Sequence, residues 1–208
     1  MDADYSVELG PAAPALELPW TDPVGRSHYV ELRGEAGFTE RNIDGTPDGT
    51  PDGIPEARRF PALRRFLVDA NSQPSAWQTV KCDVWSDETE PTENLYNAGF
   101  TQSCYVDLVL AQQAAAWRGS LGAYQRLAKE MAQRLEANES LEAIAEIVVR
   151  RCYFHQGTSP EASDAGYCLT LYLVGYGASP GEAAECWEHT LDFAAGCLLK
   201  LQPREDSA

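Results

Sequence analysis

The sequence predicts an α+β fold, a two-layer sandwich in which a four-stranded, mostly antiparallel sheet carries two helices on one face. Three observations lead there. From residue 76 the chain reads strand-strand-helix twice, a ββαββα order. Its extended stretches alternate apolar and polar side chains with the period of a half-buried strand. Its last helix opens on a full set of start signals. With right-handed crossovers, this order is a circular permutation of the ferredoxin-like arrangement, with the strands that precede the helices at the sheet centre.

Residues 1–75 read as an irregular segment rich in Pro and Gly, with Leu18-Pro19-Trp20 and Tyr29-Val30-Glu31-Leu32 as short extended pieces. A small repeat, Asp44-Gly45-Thr46-Pro47 onward to Asp52-Gly53, places Pro and Asp-Gly at a period of four, the mark of successive tight turns. It lacks the alternate ligands and closing glutamate of a calcium loop, so a loop is favoured over a metal site. A short helix is expected over 61–70, with Pro61 at its first position and Leu63, Phe66 and Leu67 on one face.

The 76–202 domain follows. Thr79–Trp85 alternates as a first strand, and Ser86–Glu93 is an acidic loop. Ser103–Leu110 is a second strand. A helix over Gln113–Leu135 shows the apolar stripe Trp117, Leu121, Tyr124, Leu127, Met131 and Leu135. Ala145–His155 is a third strand, 157–166 a polar turn region, and Tyr167–Tyr176 a fourth strand. In the last helix Ser179 is the N-cap, Pro180 is at N1, and Glu182 closes a capping box. Its stripe is Ala184, Trp187, Leu191, Ala194, Leu198 and Leu201. Residues 203–208 form a polar tail.

Period-two alternation assigns the faces. Toward the helices point Val80, Cys82 and Val84, then Cys104, Val106, Leu108 and Leu110, then Tyr167, Leu169, Leu171 and Leu173. In the third strand either parity turns one of Arg150 and Arg151 inward. The charged first and third strands suit sheet edges. The opposite face carries Lys81, Asp83, Trp85, Tyr105, Asp107, Thr170 and Tyr172, and Arg150 joins them as a candidate binding residue. This mixture of aromatics and both charge signs has three readings. The N-terminal segment covers it, with Trp20, Tyr29 and the Phe66 helix. Two subunits pack there. Or it lines a ligand site.

Composition narrows the chemistry. The chain has 208 residues with 32 acids against 16 bases, a net charge of -16, which disfavours nucleic acid and anionic membrane surfaces as partners. The acids are too scattered for a mimic of DNA charge. The apolar share of 44% fits a packed soluble protein. No targeting segment is visible, so a cytoplasmic location is expected. Arginine far outnumbers lysine and alanine is abundant, which suggests a GC-rich bacterial source by compositional association alone.

The six cysteines, at 82, 104, 152, 168, 186 and 197, show no C-x-x-C spacing and read as free buried thiols. A catalytic thiol would need His28, His155 or His189 beside it. There is no G-x-x-x-x-G-K, no G-x-G-x-x-G after a strand, no H-E-x-x-H and no G-x-S-x-G, so no cofactor and no metal are expected. Asp83 and Asp107 facing each other would form an acid–base pair, but Lys81 and a third-strand arginine favour an ion-paired surface. The expected function is a non-enzymatic interaction module that binds a protein partner, or itself as a homodimer, through its open sheet face. The alternative is a small-molecule-binding or enzymatic domain. Its pocket would lie between sheet and N-terminal segment, lined by Lys81, Asp83, Asp107, Arg150 and Tyr172.

Overall fold

The computed structural model describes residues 1–19, 29–33, 51–155 and 163–204. It is an α+β structure built on a six-stranded mixed sheet. The strands are β1 (Asp2–Glu8), β2 (Ala15–Leu18), β3 (Trp77–Glu88), β4 (Phe100–Leu110), β5 (Ala143–His155) and β6 (Ser163–Gly177). The helices are α1 (Pro55–Arg59), α2 (Pro61–Ala70), α3 (Leu121–Glu136) and α4 (Pro180–Leu198). The sheet order is β1-β5-β6-β4-β3, and β2 also pairs with β5. Contacts among β5, β6, β4 and β3 are antiparallel, whereas β1 and β2 run parallel to β5.

Two expectations are corrected here. The sheet has six strands rather than four, and residues 1–19 are not irregular, because β1 and β2 lie within them. As a result β5 is an inner strand, not an edge. In β1, Asp2, Asp4, Ser6 and Glu8 alternate with Ala3, Tyr5 and Val7. Ala3 joins the main core and Tyr5 packs against it. The period was present, but Asp2, Asp4 and Glu8 are poor strand formers and offset the signal of Tyr5 and Val7. Trp20, His28 and the turn repeat up to Thr50 lie outside the described residues.

The main core lies on one side of the sheet. Cys104, Val106, Leu108 and Leu110 of β4, Leu169, Leu171 and Leu173 of β6, and Ala143, Ala145, Ile147 and Val149 of β5 pack there against α2, α3 and α4. Among the described residues more than the two expected helices therefore cover this face, and Ala57 of α1 also joins the core. The main addition is α2, which brings Leu63, Phe66 and Leu67. Phe60 meets Trp187 edge-on at 5.6 Å between ring centres, and Trp77 meets Tyr124 at 6.3 Å. Burying each large side chain contributes about 1.5–3 kcal/mol. At the end of α2, Asn71 donates to Leu67 O and Thr79 Oγ1 and accepts from Thr79 N, which ties the helix to β3.

Local rules explain most boundaries. Ser179 caps α4 by accepting from Glu182 N at 3.3 Å, while the Glu182 carboxylate reaches back to the amide of Ala178, one residue before the N-cap amide that the expected capping box engages. The helix expected over Gln113–Leu135 begins only at Leu121. Gln112–Trp117 is a 3-10 turn, and Ser120 caps α3 by accepting from Ala123 N. Gly119-Ser120 supplies the break and the new start.

A register shift between Thr79 and Lys81 makes a β-bulge in β3. Beyond it, Cys82 and Val84 reach the main core as expected. Val80 does not, and instead joins the cluster on the other face. The β5 parity also resolves: Arg150 points to the open face, and Arg151 is exposed.

Two glycines of β6 let α4 approach the sheet. A Cβ built at Gly175 lies 2.3 Å from Trp187 N, and one at Gly177 lies 2.3 Å from Ala183 N. Both obstacles are backbone, so neither can yield cheaply. Gly175→Ala is expected to destabilise by about 1–3 kcal/mol in urea unfolding. Gly196→Ala, inside α4 with open space around it, is expected to stabilise by about 0.5–1 kcal/mol.

Candidate functional site

The open face of the sheet is laid out by its register. Asp4, Glu146, Tyr172, Tyr105 and Asp83 form one line across five strands. The next line is Ser6, Val148, Thr170, Asp107 and Lys81. In the one after, Glu8 pairs with Arg150 and Arg150 with Cys168. Trp85 lies beside Tyr105 at 6.4 Å, and Tyr105 beside Tyr172 at 6.0 Å. All eight residues singled out from the sequence, Lys81, Asp83, Trp85, Tyr105, Asp107, Arg150, Thr170 and Tyr172, therefore share this face.

Beside the rings, in the next two cross-strand lines, runs a polar chain. Arg150 Nε and Nη2 each donate to Glu8 Oε2 at 3.0 Å. Its Nη1 donates to Thr170 Oγ1 at 3.2 Å and to the Tyr172 hydroxyl at 3.0 Å. Thr170 Oγ1 in turn donates to Asp107 Oδ1 at 2.6 Å. Asp107 sits opposite Lys81 and is only 7% exposed. Burial raises its pKa above 3.8, against the opposing pull of the Thr170 hydrogen bond and the Arg150 and Lys81 charges. Burial also pushes the Tyr105 hydroxyl up, helped by the Asp107 and Asp83 charges. For Arg150, burial works to lower the pKa, but its bonds to Tyr172 and Glu8 leave it raised.

The rings also accept cations from within the chain. Lys81 Nζ lies 5.9 Å from the Tyr105 ring centre, and the Arg150 guanidinium carbon 5.5 Å from that of Tyr172. Asp83 is not opposite Asp107. It stands across from Tyr105, and its carboxylate accepts from Val84 N at 2.8 Å. No facing acid–base pair forms.

The other end of the face is closed. Val80, Val109, Cys152, Phe154 and Cys168 pack there with Leu18 and Tyr29. Gln78 Nε2 donates to Tyr29 Oη and Glu31 Oε2, and the Tyr29 hydroxyl donates to Glu31 Oε2. The Arg33 amide donates to Glu31 Oε1, and its guanidinium donates to the carbonyls of Ser72, Ser75 and Trp77 and to Gln113 Oε1. Charged hydrogen bonds of this kind contribute about 1.5–3 kcal/mol each. Residues 29–33 are thus clamped over one end of the sheet. The expectation that the Phe66 helix fills this face is corrected, because Phe66 is fully buried in the main core on the opposite side.

Glu8, Asp4 and Glu146 of the face, and the Tyr29–Glu31–Gln78 cluster, were missed in the sequence. The first two follow from the alternation in β1. Glu146 follows once β5 parity is known.

A separate cleft of about 310 Å³ lies where α4 starts, lined by Tyr176, Glu142, Glu182, Glu185, Cys186 and His189. Cys186 lies 3.2 Å from the Glu142 carbonyl, and burial raises its pKa, so this thiol is not an activated nucleophile. Among the described residues, no three His, Cys, Asp or Glu are grouped to hold a metal, and no helix is long and apolar enough to cross a membrane. Comparison with protein-family models, curated proteins and solved structures finds no match, so the reading of the site rests on its own geometry.

Because the pKa of Asp107 is raised in the folded state, folding favours its protonated form. Its contribution is present at low pH and is lost as pH rises from about 4 upward. Urea unfolding of the wild type should therefore lose stability between acid and neutral pH relative to Asp107→Asn, whose amide still accepts from Thr170. A flat difference between the two would contradict the assignment. Burial also pushes the Cys104 and Cys152 thiols up to about 12. Thiol titration at neutral pH should leave these two unreactive in the folded protein and label them on unfolding.

Proposed function

We propose that the protein is a non-enzymatic interaction module that uses the open face of its sheet to bind a partner protein or a second copy of itself. The observation that carries this is the row Trp85–Tyr105–Tyr172, which crosses three strands on the half of the face that the described residues leave open. Trp85 is 38% exposed and belongs to neither apolar cluster, which is unusual for so large an aromatic ring. Aromatic side chains supply large contact area at low entropic cost, which is why they concentrate at interfaces.

The polar groups beside the row support the same reading. The Arg150 guanidinium is engaged by Glu8, Thr170 and Tyr172, and Asp107 is held by Thr170. A small-molecule pocket lined by Lys81, Asp83, Asp107, Arg150 and Tyr172 would need these groups turned outward. Six unpaired cysteines suit a reducing cytoplasm. The β5-β6-β4-β3 order, with α3 and α4 following β4 and β6, supports reading the core as a permuted ferredoxin-like unit.

An interface aromatic contributes little to the fold that presents it. Trp85→Thr is expected to change unfolding stability by less than about 1 kcal/mol. A loss above about 2 kcal/mol would show that the ring is packed by its own chain and count against the proposal. Light scattering across a concentration series then separates the two occupants. A mass that doubles in the wild type but not in Trp85→Thr marks self-association.

A further inference from the structure

Resting on that reading, we propose that the occupant of the face is a cationic, extended segment of a partner protein, lying across the strands with arginine or lysine side chains on the aromatic row. Exposed carboxylates flank the rings on both sides. Glu146 and Asp4 stand beyond Tyr172, and Asp83 stands beyond Tyr105, all in one cross-strand line. Four strand spacings separate Asp4 from Asp83, about 19 Å at about 4.8 Å each. An extended peptide covers that distance in about six residues. Two cations at that separation reach both acidic ends, and side chains between them lie over Tyr172 and Tyr105. The same rings already hold Lys81 and Arg150 at cation–π distance, so their faces suit this chemistry.

A second copy fits less well. Laid face to face, it brings the same acidic ends against each other in a chain of net charge -16. Laid edge to edge, it meets outer strands on each of which one amide is already engaged by a carboxylate. Asp83 takes the amide of Val84 on β3, and Asp4 takes the amide of Tyr5 on β1 at 2.7 Å. These carboxylates blunt both ends of the sheet against strand addition.

The test uses the full chain and a labelled peptide with two arginines about six residues apart in a Gly-Ser spacer, read by fluorescence anisotropy at low and high salt. Binding should be salt-sensitive. It should weaken by about tenfold in Trp85→Thr and in Asp83→Asn/Glu146→Gln, while Glu136→Gln/Glu139→Gln on the helix side leaves it unchanged. All substituted positions are exposed, and circular dichroism confirms that each variant is folded. Equal weakening in the helix-side variant means bulk charge attraction and overturns the inference. No peptide binding together with a doubled mass that Trp85→Thr abolishes overturns the inference but keeps the interaction-module reading. No binding and no self-association overturns both.

Discussion

The pairing of β4 with β6 is the constraint on which the rest of the structure depends. It is one of the two inner seams of the sheet, and its register decides both faces at once. Val106 opposite Leu171 and Leu108 opposite Leu169 turn toward the helices. On the other side, the same register sets Tyr105 directly against Tyr172 and Asp107 directly against Thr170. Side chains alternate with a period of two, so a slip of one residue would put the aspartate and tyrosines into the core and the leucines into water. The cost of burying a carboxylate without a partner makes that register exclusive. Core and candidate site are therefore two readings of one ladder.

The bulge at Val80 plays the complementary part on β3. Without the extra residue, Trp77 and Lys81 would share a face. With it, Trp77 enters the main core while Lys81 turns to the Tyr105 ring and to Asp107. The displaced Val80 is used as well, since it fills the small cluster under Tyr29 and Leu18. One irregularity thus adds a cation to the polar network and an apolar contact to the closed end of the face.

The two ends of the face differ because different described parts of the N-terminal segment act on them, Leu18 and residues 29–33 on one and β1 on the other. Arg33 reaches three backbone carbonyls around the start of β3, and the Glu31–Tyr29–Gln78 cluster closes over Val109 and Cys168. At the other end, β1 adds Asp4 and Glu8 to the rim of the aromatic row and supplies the carboxylate that holds Arg150. The described N-terminal residues therefore both cover part of the sheet and set the charge of the part left open.

Much of this was legible in the residues themselves. The alternation in β4 and β6, the Ser179-Pro180-Glu182 start of α4, and the helical spacing of Leu63, Phe66 and Leu67 are local signals. Steric periodicity and end-capping decide such features within a few residues. That is why the four antiparallel strands and the grouping of seven side chains on one face could be read in advance, while the place of Arg150 beside them waited on the β5 parity. The tertiary structure alone decided the rest. The parallel addition of β1 and β2 to β5, the bulge at Val80, the place of α2 beside α4 and the Arg33 clamp all depend on partners more than thirty residues away, except the bulge, which depends on the facing strand. Single-residue preference holds no information about such partners. A weakly apolar strand such as β1 becomes a strand only because β5 offers it unpaired amides and carbonyls that must be satisfied.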